Sequence, residues 1–169
     1  MFIRGVIPVY HYATLVHEGL TFYLVASPIG LAFIGLRASF DRWQAQHPKI
    51  HLQEDVDTMA LYVEQLRQYF AGERQVFALP LDAQGTPFQK EVWQALLELS
   101  YGETVSYSTL ALGMGRPKAV RAVASAVASN PLLIVVPCHR VIAKDGTLAN
   151  YREGQALKRA LLDMEARKG

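Results

Sequence analysis

The chain has 169 residues, 51% hydrophobic and 19% charged, with a formal net charge of +2; this excludes a disordered or polycationic chain and allows one domain or two small ones with a real core. A single cysteine excludes an internal disulfide framework and fits a reducing, intracellular setting. No apolar stretch reaches the roughly eighteen residues of a membrane span, and the opening residues, broken by Gly5 and Pro8, do not read as a signal peptide. In chain order, Tyr12 to Val16 and Leu20 to Ala26 read as strands around a Glu18-Gly19 turn, and Leu31 to Leu36 as a third after Ser27-Pro28-Ile29-Gly30. Ser39 to Gln46 fits a short helix, stopped at His47-Pro48. From Asp55 to Ala71, Val56, Met59, Ala60, Val63, Leu66 and Phe70 mark one helix face closed by Gly72, and Val76 to Leu79 reads as a further strand. These elements predict a small α/β domain with an antiparallel sheet. Its His11, His17, His47 and His51 lack cysteine partners and tight spacing, so no metal is assigned.

Composition shifts at Asp82-Ala83-Gln84-Gly85, dividing the chain into domains 1–82 and 83–169. Thr86-Pro87-Phe88-Gln89 is a helix start, with Thr as N-cap, Pro at the first position and Gln three residues after the cap. Phe88, Val92, Trp93, Leu96 and Leu99 form its inner face. Beyond it the chain reads as mostly α. Ser106 to Leu112, a Gly113-Met114-Gly115 turn and Pro117 to Ser129 have the layout of a helix-turn-helix. The second of these helices is alanine-rich, with Ala119, Ala122, Ala124, Ala126 and Ala128, and offers only Lys118 and Arg121, with Arg116 just before it. A helix that reads base edges in the major groove carries several Arg, Asn or Gln; a slim one either packs tightly in the domain or fits a minor groove about 6 Å wide. Leu157, Leu161 and Met164 give the last helix an inward face.

The lone thiol closes an apolar run, in Val135-Val136-Pro137-Cys138-His139-Arg140-Val141. A cysteine reacts as thiolate, and neighbouring cations or imidazoles lower its pKa. His139 and Arg140 therefore single out Cys138 as a nucleophile, against the alternative of an inert buried cysteine. His139 follows Cys138 too closely to turn its ring onto the sulfur, so a bridging water and an orienting carboxylate are expected.

Pro137-Cys138-His139-Arg140-Val141, with Asn130-Pro131 upstream and Asn150-Tyr151 downstream, resembles the active site of the O6-alkylguanine-DNA alkyltransferases over about Thr86 to Glu165. The resemblance implies an RNase H-like first domain and a winged helix-turn-helix in the second. It implies that Cys138 takes the alkyl group from O6-alkylguanine, with O4-alkylthymine as a further candidate, once per molecule and with no cofactor. His139, Glu165, Asn130 and Tyr107 would serve that transfer. Arg121 would fill the gap left by a base flipped from double-stranded DNA, while Tyr107, Ala122, Lys118 and Arg116 meet DNA through the minor groove. Tyr151, Arg152, Val141 and Val127 would line the substrate pocket. Ala149, where a glycine is common, and Glu153, at a variable position, depart from the pattern, as does Arg116 where an Asn often precedes the proline. The expected protein is cytoplasmic, nucleoid-associated if bacterial, free of membrane, and a monomer that can bind DNA cooperatively. Two alternatives are a lesion-binding helix-turn-helix protein without chemistry, which Cys138 opposes, and a thiol hydrolase or redox sensor, which would need turnover or a second cysteine.

Overall fold

In the computed structural model, which describes residues 5–168 and only the backbone of Lys168, the chain separates into two units, 1–83 and 84–169. The first is built on strands β1 (Val9–His17), β2 (Leu20–Ala26), β3 (Leu31–Gly35) and β4 (His51–Glu54), in the order β3-β2-β1-β4. β1 and β2 pair antiparallel through a two-residue turn, Glu18 at φ 48° and Gly19 at φ 77°, whose twist suits a tight hairpin. Alternate side chains of β2 face opposite sides of the sheet. Tyr23 stacks on Phe40 of helix α1 (Arg37–Gln46) with centroids 4.5 Å apart, and Phe22 meets Phe70 of helix α2 (Ala60–Phe70) at 5.2 Å. The two helices therefore cover opposite faces. On the α1 side the core is Val25, Phe33, Phe40 and Trp43, with Tyr10 and Tyr12 against it.

Gly30 lets the Pro80 segment approach: a Cβ there would sit 2.5 Å from Pro80 O, where Leu31 N donates at 2.9 Å. Three expectations are corrected in this unit. The sheet is mixed, because β4 runs parallel to β1, pairing Val9 with His51 and Tyr12 with Glu54. The helix begins at Ala60, since Asp55 caps a turn by accepting from Thr58 N at 3.0 Å and Thr58 Oγ1 at 2.7 Å, leaving Val56 exposed. Val76 to Leu79 forms no strand: the Gln65 amide takes the backbone there, accepting from Ala78 N at 2.9 Å and donating to Ala78 O at 3.2 Å.

The second unit opens with α3 (Pro87–Leu97). Its capping box is complete: Gln89 N donates to Thr86 Oγ1 at 3.1 Å, and Thr86 N to Gln89 Oε1 at 2.9 Å. Strand β5 (Val105–Ser106) leads into α4 (Tyr107–Gly113), where the Ser106 hydroxyl caps Thr109 N at 3.0 Å. Helix α5 (Val120–Ala128) packs on α3, whose Trp93 Nε1 donates to Ala126 O at 2.9 Å. A 3-10 turn at Cys138–Arg140, strand β6 (Val141–Ile142) parallel to β5, and α6 (Gln155–Lys168) complete the unit. The alanine-rich helix begins at Val120 rather than Pro117. Arg116 to Ala119 form a turn, Ala119 N donating to Arg116 O at 2.9 Å, so Lys118 rides on the turn.

Candidate active site around Cys138

The segment after α5 is apolar yet not extended. Leu132 to Val136 are all buried and fold back on themselves, Val136 N donating to Leu132 O at 3.0 Å. Ile134 adopts φ 73°, a left-handed conformation strained for a β-branched residue. Buried Asn130 holds the turn: Leu132 N donates to its Oδ1 at 2.9 Å, and its Nδ2 donates to Val136 O at 2.8 Å. Pro137 ends regular pairing, and Cys138 follows in the 3-10 turn with its thiol buried.

His139 is fully buried, with Nε2 2.8 Å from Glu165 Oε1 of α6. Burial alone would raise the Glu165 carboxyl, but hydrogen bonds from His139 and Arg140 hold it down at about 2. An ionised carboxylate only accepts, so Nε2 carries the proton and Nδ1 presents its lone pair. Nδ1 has no hydrogen-bond partner among the described residues. Burial also pushes the His139 imidazole below its usual value, against the pull of Glu165, and so keeps it neutral. The arrangement is a neutral imidazole with one oriented, unclaimed acceptor beside a thiol.

Two expectations about charge change here. Arg140 does not serve the thiol. Its Nη2 and Nε donate to Glu165 at 2.8 and 3.0 Å, and its Nη1 donates to Leu99 O at 2.8 Å. Nor is the thiol pKa lowered: burial pushes Cys138 up, opposed by the Asn130 hydrogen bond and the charges of Arg152 and Lys158. Lys158, which the sequence reading missed, is fully buried on α6 and donates to Val141 O at 2.7 Å, with no carboxylate within 4.0 Å among the described residues. The signal available was its place beside Leu157 on the Leu157–Leu161–Met164 face.

The remaining expected residues divide into two groups. Tyr107, the first residue of α4, is half-buried, and desolvation followed by the charge of Cys138 raises its phenol, so it stays protonated. Tyr151 has a buried hydroxyl without a hydrogen-bond partner among the described residues, and burial raises it well above the usual tyrosine value. Val141 is fully buried at the start of β6, and Val127 lies in the inner face of α5 with Val123 and Ala126. Ala149 takes φ 60°, which is the reason a glycine suits that position. On the outer side, Arg121 and Ala122 are exposed on α5 and Lys118 on the preceding turn. Arg116 is exposed as well, and its guanidinium forks onto Glu91 at 3.0 and 2.8 Å. Among the described residues no group of three or more His, Cys, Asp or Glu could hold a metal. A groove of about 450 Å³ between α3 and α4, lined by Leu99, Leu110 and Met114, contains none of the thiol cluster.

A buried thiol with an oriented His–Glu pair, in a helical unit with an exposed, slim, arginine-bearing helix, defines a class of single-cysteine acceptor. Comparison with known proteins makes the class specific. Residues 87–167 match the family described as 6-O-methylguanine DNA methyltransferase, DNA binding domain, and residues 21–83 match its ribonuclease-like domain. The inducible methylated-DNA–protein-cysteine methyltransferase of Bacillus subtilis is 41% identical over 165 residues, covering 95% of this chain and 92% of that one. The Mycobacterium bovis methylated-DNA–protein-cysteine methyltransferase is 48% identical over 117 residues, 69% of this chain and 71% of its own. The crystal structure of Mycobacterium tuberculosis O6-methylguanine methyltransferase superposes with a TM-score of 0.82 at 37% identity, covering 95% and 94% of the two chains. The same enzyme in complex with DNA gives 0.81 at 36% identity, with the same coverage. The chain belongs to the methylated-DNA–protein-cysteine methyltransferase family.

Proposed function

We propose that this protein repairs DNA by moving the alkyl group of O6-alkylguanine onto Cys138, once per molecule. The observation that carries the reading is the buried Cys138 beside a neutral His139 whose Nε2 is held by Glu165 and whose Nδ1 is unclaimed. The resting thiol is protonated, so it must lose its proton to react. A water between Sγ and Nδ1 passes that proton to the imidazole, and ionised Glu165 stabilises the imidazolium. The sulfur lone pair attacks the alkyl carbon, the carbon–O6 bond breaks, and guanine leaves as its O6 anion. Tyr107, held protonated, supplies a proton to that oxygen. The thioether has no route back, and the transfer uses no cofactor.

The base must reach the thiol. O6 lies in the major groove inside the stack, so the lesion is extruded at a cost of a few kcal/mol. Exposed Arg121 fills the gap, while Ala122 lets α5 approach the minor groove of duplex DNA as the second helix of a winged helix-turn-helix. Tyr151 and Arg152 close on the extruded base, with Val141 and Val127 behind it. O4-alkylthymine is a second substrate of the same chemistry, and the protein acts as a monomer that can crowd cooperatively along DNA in the cytoplasm.

Intact-mass spectrometry after mixing with O6-methylguanine duplex tests this. One methyl should appear, on Cys138, saturating at one equivalent, and Cys138→Ala should gain none while still binding DNA. Several equivalents repaired per molecule would overturn the stoichiometric mechanism. In the same assay Arg121→Ala should slow transfer from duplex far more than from free O6-alkylguanine, which needs no extrusion. Equal losses on both would remove Arg121 from the gap-filling role.

A further inference from the structure

The turn between α4 and α5 holds an arginine more firmly than a surface charge requires. Its backbone is pinned on both sides. Gly115, at φ 71°, reverses the chain out of α4; Arg116 N donates to Ala111 O at 2.9 Å, and Arg116 O accepts from Ala119 N at 2.9 Å. The side chain is held as well. Nε and Nη2 donate to the two carboxylate oxygens of Glu91 on α3, at 3.0 and 2.8 Å, and the guanidinium carbon lies 5.4 Å from the centroid of the Phe88 ring. An exposed ion pair by itself contributes little to stability. A fork on one edge and a ring against one face do something else: they fix the plane and the heading of the guanidinium. The fork uses one proton of Nε and one of Nη2. Of the five N–H donors, two on Nη1 and one on Nη2 are left, without a partner among the described residues. Those two nitrogens form a second fork, of the shape that takes a phosphate.

We propose that Glu91 and Phe88 pre-aim Arg116, so that its open edge clasps a phosphate of the duplex beside the groove that α5 enters. The proposal rests on α5 being the helix that meets DNA. Arg116, Lys118 and Arg121 are exposed in one stretch from the turn into α5, and the chain has no acidic residue from Thr104 to Lys144. A carboxylate brought to this basic turn from another helix would weaken phosphate binding if charge were its whole effect. Its geometry gives it a different one. A free arginine gives up its rotamer freedom when it meets a phosphate, whereas one already held by Glu91 and Phe88 has little left to lose. Glu91 is thus a positioning residue that acts on DNA through Arg116.

The test is the affinity of the full chain for an unmodified, fluorescently labelled duplex, measured by anisotropy over a range of salt concentrations. Arg116→Gln should bind about tenfold more weakly and lose about one unit from the slope of log affinity against log salt. Glu91→Gln makes the protein more positive, yet it should bind about threefold more weakly, the scale of ordering one side chain, with a slope no steeper. The double variant should bind no worse than Arg116→Gln alone, because Glu91 has no effect without the arginine. Arg116→Lys keeps the charge but cannot fork, so it should lose its dependence on Glu91. Tighter binding with a steeper slope in Glu91→Gln is the signature of mere neutralisation and overturns the proposal. Additive losses in the double variant overturn it too, as do losses that follow a fall in the urea midpoint. If Arg121→Ala also transfers from duplex at the full rate, the reading of α5 itself falls. If Arg121 matters while Arg116→Gln changes neither affinity nor slope, the clasp alone falls.

Discussion

The two units are held together by different physics. Among the described residues of the first, the buried polar side chains are Ser39 and Gln65, and no acid, base or imidazole is buried; its interior is aromatic and aliphatic. The second buries Asn130, His139, Arg140, Lys158 and Glu165 around one thiol. Apolar burial contributes about 25 cal/mol per Å² with no demand on geometry. Buried charges are neutral or unfavourable for stability unless every partner is in place, and removing one partner is worse than never having had the pair. The unit that carries the chemistry is thus the one whose interior tolerates change least.

The sharpest test of that contrast is Glu165→Ala. It strands Arg140 and releases His139, so transfer should slow by about 10²–10⁴. The second unit should lose about 3–5 kcal/mol, measured by single-turnover kinetics and urea unfolding. A full single-turnover rate in this variant would return Glu165 to a purely structural role. Phe40→Ala is the matching change in the first unit. It should cost about 3–5 kcal/mol of stability while leaving the rate constant per folded molecule unchanged; a slowed rate would mean that the aromatic core also tunes the thiol. Acid gives the smallest and most graded difference. Against the pull of burial, the hydrogen bonds from His139 and Arg140 hold the Glu165 carboxyl at about 2, below its usual 4.5, so its contribution is complete above about 4.5 and drains away as pH falls toward 2. His139, held neutral below its usual 6.5, acts in the same direction from about 6.5 downward. Each unit has one tryptophan, Trp43 and Trp93. Fluorescence of single-tryptophan variants should therefore show the urea midpoint reported by Trp93 falling first; parallel loss at Trp43 would dissolve the contrast.

How much of this was legible in the chain follows the same division. Elements made by periodicity or capping were readable: the strand Leu20–Ala26, and the α3 start at Thr86-Pro87-Phe88-Gln89. β4 was not, because His51-Leu52-Gln53-Glu54 has no apolar alternation and is held as an edge by backbone pairing with β1. The start of α5 was misplaced because Arg116 to Ala119 close a turn whose residues equally suit a helix. Cys138 and His139 stand out by adjacency, and Glu165 was reached only through the family resemblance, since a glutamate near a helix end ordinarily reads as solvated. Arg140 was legible as a charge but not as a partner, because its commitment to Glu165 is a tertiary fact. Lys158 and the inward fold of Glu153, whose side chain is 5% exposed, left no mark in composition or spacing. Both are charged residues whose burial depends on neighbours that sequence order does not bring together.

The dyad joins His139 to Glu165 across 26 residues, with α6 as the carrier. A chain emerging from synthesis therefore exposes its thiol before the carboxylate that equips it exists, and through that interval Cys138 is an ordinary cysteine with an unoriented histidine beside it. Only the docking of α6, which brings Lys158 and Glu165 in on one face, turns the segment into a reactive centre. Readiness for the buried-site transfer is thereby tied to completed folding, and folding also withdraws the sulfur from stray electrophiles, to which the exposed thiol of a nascent chain stays open.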